Sequence, residues 1–192
     1  MMIQKKHIAI FASGSGSNAE LLIQKSRELD LNYEVKLIVT NSAKAGVIER
    51  AHRLGIPMFV WEAADIAGSE NFISFLNKNE IDYIILAGYL KKIDGILVQH
   101  FENKIVNIHP SLLPKYGGKG MYGHYVHEAV IAAKETESGI TIHYVNEQYD
   151  EGTVIAQFRC SLGAEDTVES LQKKIQKLEH ENFYQTVNNI CK

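Results

Sequence analysis

Residues 7–22, HIAIFASGSGSNAELL, decide the fold. Residues 7–12 are a continuous apolar run, the pattern of a strand covered on both faces. A Gly/Ser turn follows, and from Asn18 the pattern becomes helical, with Leu21, Leu22, Ser26 and Leu29 predicted on one face of a helix over 18–29. Strand, tight turn and helix in direct succession make the first half of a β-α-β unit. Working outward, the same alternation recurs. Strands are predicted at 33–40, 58–60, 83–87 and 105–107, and helices at 45–54 (closed by Gly55), within 70–76 and at 122–134. Two strands, 140–145 and 153–158, are joined by about eight residues, too few for a crossover helix, so they read as an antiparallel extension. A long amphipathic helix over 167–187, with Leu171, Ile175 and Leu178 in its apolar stripe, ends the pattern. The expected architecture is α/β, a three-layer Rossmann-like fold whose sheet is mostly parallel, with an antiparallel extension near the C-terminus. With no linker, repeat or low-complexity stretch, residues 1–192 are expected to form a single domain.

Composition narrows the class. The chain has 192 residues, 45% hydrophobic and 22% charged, with a net charge of −3 and no basic run. A nucleic-acid partner would normally leave a concentrated Lys/Arg surface, so none is expected. No segment approaches the ~20 apolar residues of a membrane span, and the N-terminal apolar run is too short for a signal peptide. A cytoplasmic protein, monomer or homodimer, with small-molecule partners is the expectation. Cys160 and Cys191 are the only cysteines, and they read as inert thiols.

The turn after the first strand carries Gly14-x-Gly16-x-x-Ala19, a dinucleotide-binding spacing. The second strand ends Thr40-Asn41-Ser42 without the carboxylate that would hold a nicotinamide ribose. A single phosphate held by Gly16, Ser17 and Asn18 at a helix start is therefore favoured over a dinucleotide. A plain turn capped by Ser17 or Asn18 is the structural alternative.

VNIHPSLLPKY (106–116) holds two of the three prolines around Asn107 and His109. In extended backbone these two side chains share one side, and Pro110 keeps His109 extended. An amide donor beside an imidazole suits stabilisation of a tetrahedral acyl-transfer intermediate and movement of its proton. Asp150, on the turn between the last two strands, is the candidate carboxylate. A hydrogen-bonded structural histidine is the plainer alternative. Ser111 lacks a nucleophile elbow. His124, His127 and Glu128 lack a further ligand, so no metal is expected.

SGSGSN (13–18), LAGYLKKI (86–93), NIHPSLLPKY (107–116), YDEGTVIAQ (149–157) and LEHENFY (178–184) together resemble the phosphoribosylglycinamide formyltransferase family along nearly the whole chain. The resemblance implies transfer of a formyl group from 10-formyltetrahydrofolate to the amine of 5'-phosphoribosylglycinamide, a step of purine synthesis, with no metal. It implies that Asn107 and His109 polarise the formyl group, with His109 as proton donor kept protonated by Asp150. Gly16, Ser17 and Asn18 would hold the phosphate and Glu179 the ribose. Leu90, Lys91, Lys92 and Ile93, with Asn107, would line the folate pocket, and His143 would support Asp150. Two positions depart from the family: Lys91 stands where Arg is common, and no Arg occurs between Trp61 and Asp82. The loop 117–123, GGKGMYG, suits a flap or a surface loop. A formyltetrahydrofolate hydrolase, another formyl-folate transferase, and a non-catalytic nucleotide-binding Rossmann module are the alternatives.

Overall fold

The computed structural model describes residues 4–61 and 69–192. Within these residues seven strands form one sheet in the order β3-β2-β1-β4-β5-β6-β7. They are β1 (Lys6–Phe11), β2 (Tyr33–Thr40), β3 (Met58–Val60), β4 (Tyr83–Leu86), β5 (Ile105–His109), β6 (Glu137–Tyr144) and β7 (Val154–Ser161). The first five pair in parallel, and β6 and β7 extend them antiparallel, as the short connection requires.

Among the described residues six helices cover the sheet: α1 (Ser17–Glu28), α2 (Val47–Leu54), α3 (Ser69–Lys78), α4 (Gly95–His100), α5 (His124–Ala132) and α6 (Val168–Ile190). One core joins α1, α2, α5 and α6 to the sheet through Ile8, Ile10, Leu22, Ile23, Leu171 and Phe183. The other packs α3 and α4 on the opposite face around Phe11, Phe72, Leu76 and Leu97. Strand parity divides them: Ile8 and Ile10 face the first core, Ala9 and Phe11 the second. The register between β1 and β2 shifts after Ile8, so Ala9 pairs with Leu37. That bulge reverses the parity of β2, placing Tyr33, Val35 and Ile38 in one core but Leu37 and Val39 in the other.

Several expectations are corrected. The buried face of α1 is Asn18, Ala19, Leu22 and Ile23, and Leu29 is an exposed C-cap. Apolar residues at 19 and 21–23 permit two helical registers, and the sharp entry at Gly16 selects the one facing the sheet. Helix α4 went unpredicted, since six residues beginning with Gly95 carry little periodicity; the Asp94 side chain caps it by accepting from Ile96 N at 2.8 Å. Strand β5 continues to His109, and α5 is shorter than expected. Among the described residues no helix is long and apolar enough to cross a membrane.

Candidate active site

The strand order reverses between β1 and β4, and ligand crevices of open α/β sheets form at such a point. The loops there are tied together. Ser13 N donates to Gly88 O at 3.0 Å, and the Ser13 hydroxyl accepts from Leu90 N at 2.8 Å while donating to Asn41 Oδ1. The crevice is a cavity of about 660 Å³. Gly16, Ser17, Asn18, Leu90, Lys91, Lys92, Ile93, Asn107, His109, His143, Asp150 and Glu179 all line it, so every site residue expected from the sequence meets there.

At one end stands the start of α1. Its N-cap is Gly16, at φ 76°, and no side chain caps the helix, so the reading in which Ser17 or Asn18 caps it is corrected. A Cβ on Gly16 would lie 2.5 Å from Val47 Cγ2, so both the left-handed backbone and the close approach of α2 require glycine. The N–H groups of the first turn stay open towards an anion. Asn18 Nδ2 donates to Glu179 Oε2 at 2.9 Å, joining α1 to α6, while the buried Asn18 Oδ1 has no partner among the described residues. Burial pushes the Glu179 carboxyl up, against the hydrogen bond from Asn18.

At the other end β5 and β6 pair so that Asn107 lies opposite His143 and His109 opposite Thr141. His143 donates from Nδ1 to Tyr144 O at 2.8 Å, which leaves Nε2 to accept from Asn107 Nδ2 at 3.1 Å. Asp150 sits on the turn before β7 with a left-handed φ of 58°. Gly152, two residues on, lets this turn press onto β6, since a Cβ there would fall 1.7 Å from Tyr144 O. The Asp150 carboxylate then reaches His109 Nδ1 at 3.5 Å, His143 Nε2 at 3.6 Å and Asn107 Nδ2 at 3.5 Å, and accepts from Gly118 N at 2.9 Å.

Burial pushes the Asp150 carboxyl up, but the neighbouring imidazoles of His143 and His109 and the Gly118 N–H outweigh it, so the net displacement is downward. For His109, burial is the largest influence and lowers the imidazole, although Asp150 and Tyr116 O pull it up. Only 3% of the ring is exposed, so burial sets the direction, while Asp150 at 3.5 Å from Nδ1 opposes it. Tyr116, another non-glycine residue with positive φ (56°), turns its carbonyl onto His109 Nε2 at 2.8 Å, and its hydroxyl donates to Glu135 Oε1 at 2.9 Å. That carbonyl can only accept, so His109 carries a proton on Nε2 and turns Nδ1 towards Asp150.

The remaining wall is less polar. Ile93 is buried, Leu90 is exposed, and Lys92 Nζ lies 5.8 Å over the Tyr149 ring. The position of the missing arginine between Trp61 and Asp82 falls partly on residues 62–68, outside the described residues. Sequence reasoning missed the Tyr116 carbonyl and the Gly118 N–H, because backbone contacts leave no mark in residue type. It also passed over the buried His127 and the α6 residues Gln172 and Gln176 as parts of the wall. For the two glutamines, spacing relative to Glu179 on one helical face was the available signal. Among the described residues no group of three or more His, Cys, Asp or Glu is arranged to hold a metal.

Residues 6–187 match the family described as formyl transferase. The chain is 38% identical over 179 residues to phosphoribosylglycinamide formyltransferase of Bacillus subtilis, covering 91% of this chain and 89% of that protein. It is 41% identical over 193 residues to the chloroplastic phosphoribosylglycinamide formyltransferase of Arabidopsis thaliana, covering 98% of this chain but spanning only 66% of that relative. Among solved structures, glycinamide ribonucleotide transformylase 1 from Geobacillus kaustophilus superposes with a TM-score of 0.90 at 36% identity, covering 98% of this chain and 100% of that one. The chain therefore belongs to the formyl transferase family, in its phosphoribosylglycinamide formyltransferase branch.

Proposed function

We propose that this protein transfers the formyl group of 10-formyltetrahydrofolate to the amine of 5'-phosphoribosylglycinamide. The observation that carries the reading is one carboxylate, Asp150, within 3.6 Å of Asn107, His109 and His143, in the cavity that also holds the uncapped start of α1. The phosphate would lie on the N–H groups of Gly16, Ser17 and Asn18. The ribose hydroxyls would donate to Glu179 and to the unpartnered Asn18 Oδ1. The folate would lie along Leu90, Lys91, Lys92 and Ile93.

In the reaction the substrate amine attacks the formyl carbon, giving a tetrahedral intermediate with a negatively charged oxygen. Asn107 uses one N–H on His143, and the other, in long contact with Asp150, is left to donate to that oxygen. His109 gains proton affinity as negative charge develops beside it, which offsets its burial. Asp150, held ionised, accepts the proton that the amine loses, directly or through His109. Collapse of the intermediate breaks the bond to folate N10, and the same proton ends on that nitrogen. Each well-placed donor is worth roughly 3–4 kcal/mol of barrier. The nucleophile belongs to the substrate, so no covalent enzyme intermediate is formed.

Purified protein incubated with 10-formyltetrahydrofolate, with and without 5'-phosphoribosylglycinamide, tests the proposal. Folate product that appears only with the amine supports it. Product formed equally without the amine would make the protein a hydrolase, and no product in either tube would remove catalysis from the reading.

A further inference from the structure

Helix α2 contributes no atom to the chemistry just described, yet it holds the outer side of the glycine loop at two consecutive carbonyls. Val47 N donates to Gly14 O at 3.0 Å, and Arg50 Nε donates to Ser15 O at 2.6 Å. Across a trans peptide the carbonyl and the following N–H point in opposite directions. Holding Gly14 O and Ser15 O against α2 therefore turns Ser15 N–H and Gly16 N–H away from α2. Gly14, Ser15 and Gly16 all line the cavity. The N–H groups of Ser15, Gly16, Ser17 and Asn18 have no acceptor among the described residues. Four successive free N–H groups around a left-handed residue form a concave nest of the kind that binds anions.

Arg50 has a second contact. Its Nη1 pairs with Glu20 Oε2, and Arg53 Nη2 meets Glu20 Oε1 at 2.7 Å. Glu20 lies in the first turn of α1, where a free carboxylate would repel an incoming phosphate. The two arginines neutralise it, but only Arg50 also grips the loop.

We propose that Arg50 is the positioning residue of the anion nest: from outside the cavity it orients the Ser15–Gly16 peptide so that its N–H faces the substrate phosphate. The inference rests on the proposed function for the identity of the phosphate's owner, but not for the nest itself. It concerns binding of the phosphorylated substrate and leaves formyl transfer untouched.

The test uses ribose 5-phosphate as a probe that needs no folate, titrated calorimetrically, together with steady-state kinetics on both substrates. Arg50→Ala is expected to weaken ribose 5-phosphate about tenfold and to raise KM for 5'-phosphoribosylglycinamide by a similar factor. Turnover and the folate KM should stay within about twofold. Arg53→Ala removes charge from Glu20 without touching Ser15 and should leave ribose 5-phosphate affinity within about twofold. Arg50→Lys keeps the charge and one donor, should recover part of the loss, and carries the test if the alanine variant does not fold. Unchanged affinity in both Arg50 variants overturns the proposal, as does an equal loss in Arg53→Ala, which would reduce the effect to charge. A wild-type protein that binds ribose 5-phosphate but transfers no formyl group sinks the proposed reaction and leaves the nest standing. One that does not bind the probe sinks the nest.

Discussion

The two ends of the cavity are built on opposite principles. The glycine-loop end works through backbone: its open N–H groups are aimed by Gly16 and by α2, and none of them titrates. The β5–β6 end works through side chains, where Asn107, His109, His143 and Asp150 interact within 3.6 Å and two of them are displaced from their ordinary ionisation. One end is suited to hold a fixed charge, the other to meet a charge that appears during reaction. The difference teaches where sensitivity should lie. Chemistry should fail when a side chain is altered at one end, and binding should fail when backbone geometry is altered at the other.

The hardest way to break this comparison is Asp150→Asn. It keeps the shape but removes the charge shared by His109 and His143, and turnover is expected to fall by about 10²–10³ with ribonucleotide affinity nearly unchanged. Turnover within tenfold of wild type would show that the titrating end does not drive the reaction. Next comes Gly16→Ala, which places a Cβ 2.5 Å from Val47 Cγ2 on a left-handed residue. Thermal unfolding should show a loss of roughly 1–3 kcal/mol, and KM for the ribonucleotide should rise while that for folate stays. Equal shifts in both KM values would mean that the loop serves the whole cavity rather than the phosphate.

Acid sharpens the contrast further. Burial lowers His109, His127 and His180, so their folded pKa values lie below the unfolded ones. Protonation therefore favours the unfolded chain. Stability is lost as pH drops through the ordinary imidazole value near about 6.5 and continues to fall towards the folded values. Asp150, also lowered, adds a loss of the same sign at more acid pH. The melting temperature should thus decline between about pH 7.5 and 5.5, and His127→Gln should shrink that decline by roughly 1–3 °C. An unaltered slope would exclude His127 as a contributor. The smallest effect is expected of Tyr116→Phe. His109 bonds the backbone carbonyl at that position, so loss of the hydroxyl on Glu135 should change turnover less than about threefold. A larger fall would show that Glu135 sets the carbonyl's position.

Much of this arrangement is legible in the sequence. The β-α alternation marked most elements, and Gly55 closes α2 with a left-handed cap at φ 62° as expected. The residues named for the cavity all line it. What escaped has a common cause. Helix α4 is too short for a period to show, and the face of α1 was chosen between two apolar registers by the turn at Gly16. The downward displacement of His109 could not be read either, because it depends on how much protein surrounds the ring rather than on which carboxylate stands nearest.

The sequence alone determined the layered α/β plan, the glycine loop between the first strand and helix, and the short list of polar residues at strand ends. Those features are local, and each is encoded within a dozen neighbouring residues. Only the tertiary structure decided that the carboxylate of residue 150 reaches three partners on two other strands, that a tyrosine carbonyl holds one edge of the imidazole, and that an arginine on α2 grips the glycine loop from behind. Distances between segments many residues apart, and the direction of a peptide plane, are consequences of packing, and no residue type records them.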